Sequence, residues 1–199
     1  QGRVQIADGA LSYVDLPSGL SRVNGSLVFN QDRLEVEKLT AQSGGGQLNL
    51  GGYVAFGRQL SFDLTAQGQG VRLRYPPGVS STANADLHFT GTASASVLSG
   101  EITITKLNIT PGFDFGSYLQ RTSQSASLPQ TSPLLNKVRL DVHVMTTPEL
   151  QMQSALAKLS GDADLRVRGT AARPSLLGRV DILEGEIRIN GSKYRLERG

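Results

Sequence analysis

Apolar and polar residues alternate with a period of two along most of this chain, and helical periodicity is scarce. Leu48 and Leu50, then Leu60, Phe62 and Leu64, then Leu87 and Phe89 set the rhythm. Ile102 and Ile104 continue it, followed by Val138, Leu140, Val142 and Val144, then Leu165 and Val167. Val180 and Ile182, Ile187 and Ile189, and Tyr194 and Leu196 complete the series. Between them stand mostly Ser, Thr, Asp, Arg, His and Gln, which suit a solvated face. This spacing predicts half-buried β-strands with every apolar side chain on one surface. Turn signals separate the runs: Asn24-Gly25, Gly44-Gly45-Gly46, Pro76-Pro77-Gly78 and Asn190-Gly191. Asn-Gly between alternating segments predicts a tight hairpin. The chain reads as all-β.

Two stretches break the rhythm. Residues 117–136 are rich in Ser, Gln and Thr and carry two prolines, which predicts a loop, with room for one helical turn from Gly116 to Thr122. Ser154 to Leu159 fits either one helical turn or a strand edge. The expected organisation is therefore a β-repeat region over 1–116, the loop over 117–136, and a second β-region over 137–199 continuous with the first.

An internal repeat is the most informative feature. The twenty residues from Ala85 align without a gap on the twenty from Ala163, with nine identities at an offset of 78. These include Asp86/Asp164, Leu87/Leu165, Gly91/Gly169, Gly100/Gly178 and Ile104/Ile182. Each copy reads strand, Gly turn, small-residue loop, Leu-x-Gly, strand, the mark of a stacked β-architecture.

Composition narrows the chemistry. The 199 residues contain no Cys, which removes disulfides, thiol nucleophiles and thiolate zinc sites. A net charge of +3 is too small to argue for nucleic-acid binding, and basic residues are interleaved with acids without an aromatic platform. Glycine, at 23 residues, exceeds its ordinary share of about 7% and implies tight turns or close backbone approaches. No stretch approaches 18 consecutive apolar residues, so none spans a membrane as a helix. Gln1 is not an initiator Met, and the segment is expected to belong to something longer.

Catalytic readings are poor, and no cofactor is implied. His88 and His143 each sit between apolar strand residues, so period two sends both to the polar face. There is no G-x-S-x-G, P-loop or H-E-x-x-H sequence, and Gly68-x-Gly70 lacks its third glycine. Glu35/Glu37 and Glu184/Glu186 read as solvated pairs. The sequons at Asn24, Asn108 and Asn190 are better explained by hairpin geometry where Gly follows. Late arginines (Arg166, Arg168, Arg173, Arg179, Arg188, Arg195, Arg198) suit solvated faces and edge protection, or contact with lipid phosphates or an acidic partner.

The stretch from Leu159 to Gly199 resembles the C-terminal domain of the TamB family, the translocation and assembly module proteins of Gram-negative envelopes. The resemblance rests on Gly161-Asp162, the strand and turn Leu165…Gly169-Thr170, Arg173-Pro174 and Leu177-Gly178-Arg179-Val180. Leu183-Glu184-Gly185, Asn190-Gly191 and the closing Tyr194-Arg195-Leu196-Glu197-Arg198-Gly199 also match, as does the strand from Asn136. It is close from about Leu135 to Gly199 and looser from Val23 to Thr110, where the repeats are also similar to those of AsmA-like relatives.

That resemblance implies an elongated, curled repeat sheet forming a U-shaped, taco-like trough with an apolar interior. It implies a periplasmic segment of an inner-membrane-anchored protein that shields phospholipid acyl chains between two membranes. The implied partners are those acyl chains and an Omp85-type outer-membrane barrel, TamA-like, with no nucleic acid. The expected lining is Leu60, Phe62, Leu64, Leu87, Phe89, Ile102, Ile104, Val138, Leu140, Val142, Val144, Leu165, Val167, Val180, Ile182, Ile187, Ile189 and Leu196. Two other functions fit the same residues: a docking and assembly module that works with the barrel in outer-membrane protein insertion or secretion, and a structural β-repeat spacer with a sealed core.

Overall fold

The computed structural model describes residues 1–12, 18–74, 77–110, 135–148, 150–153, 157–189 and 192–197. The strands are β1 (Gly2–Leu11), β2 (Leu20–Asn30), β3 (Arg33–Ser43), β4 (Gly46–Phe56), β5 (Leu60–Leu73) and β6 (Val79–Thr92). After them come β7 (Ser96–Ile109), β8 (Val138–Thr146), β9 (Leu150–Gln153), β10 (Ala157–Thr170), β11 (Arg173–Ile189) and β12 (Ser192–Glu197). A 3-10 turn, Leu135–Lys137, precedes β8. All twelve strands belong to one sheet, and from β1 to β8 each strand pairs with the next in sequence.

Every pairing is antiparallel except those of β7 with β8 and β9, which are parallel. β8 and β9 both lie between β7 and β10, so together they fill one lane of the sheet, interrupted after Thr146. The predicted helical turn at 116–122 and the loop up to residue 134 lie outside the described residues. So do residues 154–156; from Ala157 the chain is strand, which settles that part of the 154–159 alternative.

The repeat is a hairpin, and its two copies have the same register. Leu87 faces Gly100 and Phe89 faces Leu98 in β6–β7; at the offset of 78, Leu165 faces Gly178 and Val167 faces Leu176 in β10–β11. Glycine is required at the conserved point of each copy. Gly100 has φ of 129°, and a Cβ there would lie 2.1 Å from the Asp86 carbonyl oxygen; at Gly178 the φ is 143° and the Asp164 oxygen is again 2.1 Å away. Neither the torsion nor the space admits a side chain.

Turn chemistry explains the Gly44-Gly45 hairpin between β3 and β4, where both central residues have positive φ (58° and 86°), as a type I′ turn demands. The Asn24-Gly25 prediction is overturned. That dipeptide lies inside β2, with Gly25 paired to Ile6 on one side and Leu39 on the other. The Asn24 side chain accepts the Asp8 N–H and donates to the Arg22 carbonyl, bracing a bulge where Asp8 and Arg22 have φ near 50°. A Cβ on Gly25 would strike the Lys38 carbonyl at 2.1 Å, so this glycine serves close strand approach rather than a turn. Asn190-Gly191 lies outside the described residues, although Ile189 pairs with Ser192 across it.

A sealed core is missing among the described residues. No large side chain is fully buried, and the buried apolar residues are Val23, Ala41, Val142, Leu150 and Ala172. The chain exposes 13726 Å², against roughly 9,000 Å² for a compact protein of this mass. Stability must come mainly from the main-chain ladder and from side chains packed along single faces. Gly100→Ala and Gly178→Ala should each cost about 1–3 kcal/mol through torsional strain and the clash across the strand. Gly2→Ala, which meets nothing within 4 Å, should stay within about 0.5 kcal/mol. Urea unfolding midpoints check this, and a wild-type midpoint for Gly100→Ala would disprove the close approach.

Candidate functional site

Cross-strand register decides which side chains share a face, because directly opposed residues project to the same side. Starting from Phe62 on β5, Leu64 lies opposite Phe89 and Ala66 opposite Leu87. Phe89 is opposite Leu98, and Ala85 opposite Ile102. Across the parallel junction, Leu98 meets Leu140, Gly100 meets Val142 and Ile102 meets Val144. The row continues with Val142 to Val167 and Val144 to Leu165, then Val167 to Leu176 and Ala163 to Val180. One uninterrupted apolar face therefore crosses the sheet. Phe62 and Phe89 stack on it with ring centroids 4.6 Å apart.

The expected lining residues have different depths. Phe62, Leu64, Leu87, Phe89, Ile102, Ile104, Val138, Leu140, Val144, Leu165 and Val167 are half-buried, and only Val142, at 5% exposure, is buried. Leu60 stands at the edge of the face, Ile182 is partly exposed, and Val180 is 63% exposed. Ile187, Ile189 and Leu196 take part in the β11–β12 ladder, but their side chains lie outside the described residues.

Sequence reading missed how far the face extends toward the N-terminus. Val4, Leu27, Val36 and Gly52 form one row, and Phe29, Leu34, Val54 and Phe62 another. The register shifts between Ile6 and Gly9 and between Val36 and Leu39 insert extra residues, which break simple alternation there. The signal that survives is the apolar residue on both sides of each bulge.

The opposite face is polar and laced with cross-strand pairs. His88 and Asp63 are 2.7 Å apart. His143 lies 2.7 Å from Asp164 and 3.5 Å from Glu101, and Gln67 donates to Asp86 at 3.2 Å. Both histidines thus stand on the polar face, as period two required. Among the described residues no group of three His, Cys, Asp or Glu is arranged to hold a metal, and no helix is long and apolar enough to cross a membrane. What the geometry offers is a continuous apolar surface and a polar reverse.

No curated protein and no solved structure is similar enough to the chain to align with it. Residues 37–199 match the family model of the TamB C-terminal domain. Members of that family are non-enzymatic cell-envelope proteins with a general role in envelope assembly and lipid transport, in partnership with TamA. With a match over some four fifths of its length, the chain belongs to the TamB C-terminal domain family.

Proposed function

We propose that the apolar face is the wall of a periplasmic conduit that shields phospholipid acyl chains between the inner and outer membranes. The observation that carries this reading is the one continuous apolar face whose side chains, apart from a few, remain open to solvent. A phospholipid carries about thirty methylenes, and at ~0.8 kcal/mol each its bare transfer through water costs on the order of 20 kcal/mol. Contact with such a face removes most of that cost. Apolar contact is also non-directional, so chains slide along it, whereas fixed polar anchors would hold them in place. We infer that the long sheet curls with this face inward, forming a trough along which lipid passes.

Protein purified without detergent should carry phospholipid at about stoichiometric levels, read by extraction and mass spectrometry. Val180→Arg and Ile104→Glu should keep the fold and lose the lipid, while Val142→Asp, at a buried site, should lose stability by about 2 kcal/mol or more. Lipid-free wild-type protein, or unfolding by Val180→Arg, would instead favour the sealed spacer.

A second reading, docking to the barrel partner, is favoured by the edge of β11. β12 covers β11 from Glu184 to Ile189, and among the described residues Arg173 to Ile182 pair only with β10, Leu183 falling at a register shift. Leu176, Leu177 and Val180 on this bare stretch are each more than half exposed. Unpaired main-chain groups flanked by apolar side chains form a template for an added strand. In a complex with the periplasmic part of the barrel protein, hydrogen exchange at 173–183 should slow, and Leu177→Lys should weaken binding about tenfold. A complex that leaves 173–183 unprotected would eliminate this edge as the contact.

A further inference from the structure

The hairpin ends of the sheet do not carry charge evenly. One long rim collects the β2–β3, β4–β5, β6–β7 and β10–β11 connections together with the 3-10 turn before β8. The turn is tied to this rim by the Ala172 N–H, which donates to the Leu135 carbonyl at 3.2 Å, while the Ala171 N–H donates to Val138. Phe29, Phe56, Leu60 and Leu135 stand here, each 39–50% exposed. By register, Phe29, Phe56 and Leu60 belong to the apolar face.

Cations line the same rim. Arg33, Arg58, Lys137, Arg139 and Arg173 are all exposed, and Asp32 is the acid at the hairpin tips. Arg33 is engaged, 3.9 Å from Glu35 and 4.4 Å above the Tyr53 ring. Arg58, Lys137, Arg139 and Arg173 form no ion pair among the described residues. Arg139 and Arg173 project from the polar side, since each is opposite Thr170 in the ladder. The rim thus carries aromatic and aliphatic groups of the apolar face and, next to them along the chain, cations without an ion pair among the described residues: Arg58 lies between Phe56 and Leu60, and Lys137 and Arg139 flank Val138. From β2 to β11 this arrangement spans eight strand spacings, about 38 Å.

We propose that this rim binds the phosphate headgroups of anionic phospholipids whose acyl chains lie on the apolar face, and that it makes the conduit select anionic over zwitterionic lipid. The inference rests on the lipid-conduit reading and adds to it the class of lipid. An acyl chain against Phe56 and Leu60 leaves its headgroup at the edge of the sheet beside Arg58, which lies in the hairpin they close, and one against Val138 leaves it beside Lys137 and Arg139. Such long side chains cover apolar surface with their stems while their charged ends stay in solvent. A zwitterionic headgroup presents the same phosphate but brings its own ammonium group, which the free cations repel.

The test is competitive loading. The chain is offered equal amounts of phosphatidylglycerol and phosphatidylcholine with identical acyl chains, and bound lipid is quantified by mass spectrometry at low and high salt. Phosphatidylglycerol should be enriched about fivefold for each cation it engages, at low salt, and the enrichment should fall as salt rises. The combined variant Arg58→Gln, Lys137→Gln, Arg139→Gln, Arg173→Gln should bring the ratio close to one, with phosphatidylcholine as internal reference and circular dichroism confirming the fold. The charge-keeping set Arg58→Lys, Lys137→Arg, Arg139→Lys, Arg173→Lys should retain the enrichment. Equal uptake of both lipids by the wild type would overturn the rim's role and leave the conduit standing. Enrichment that survives the glutamine variant would overturn it too, by moving the selectivity elsewhere. Absence of any bound lipid would remove the conduit reading, and this inference with it.

Discussion

The main-chain hydrogen-bond ladder is the constraint on which everything else in this structure depends. In most domains an apolar face forces a second layer to cover it, and burial then holds the pieces together. Here the described strands form one sheet with no fully buried large side chain. Each strand is held by its neighbours' amides and by side chains touching along a face. Such an arrangement tolerates an apolar surface that stays open, because removing cover from that surface breaks no layer contact. It also leaves edges, and the bare stretch of β11 is one. An open face and an open edge therefore have a common origin in the lack of a second layer among the described residues.

Glycine makes the ladder workable. At Gly52, Gly100 and Gly178 a Cβ would come within 2.0–2.1 Å of a carbonyl oxygen on the neighbouring strand, belonging to Asp63, Asp86 and Asp164 respectively. Those aspartates are on the polar side, and two of them hold the histidines His88 and His143. The close approach on one face and the acid–base pair on the other are thus set by the same residue. Exposed pairs of this kind contribute little individually; their value is in fixing register, since a slip of one residue would bring polar side chains onto the apolar face.

Much of this was legible in the sequence, for a physical reason. Period-two alternation in Val138–Val144 or Leu165–Val167 reports directly on which side each residue faces. The offset of 78 reports a hairpin because both copies carry the glycine their register needs. The N-terminal third was harder to read. Bulges near Asp8 and between Val36 and Leu39 change the parity, and Asn24-Gly25 imitates a turn while lying within a strand. The parallel lane shared by β8 and β9 was not legible either. Nothing local in Val138–Thr146 distinguishes a strand that returns beside its predecessor in parallel from one that turns back on it.

The identical register of the two hairpin copies bears on how such a sheet sets its length. Each hairpin adds two strand spacings, about 9.5 Å, and presents the same apolar side when inserted between neighbours of matching register. No opposing layer has to be re-fitted, so the cost of one more unit is confined to its two flanking strands. Reach across a gap is then counted in hairpins, and a lineage can lengthen or shorten the span by whole units while the apolar surface stays continuous.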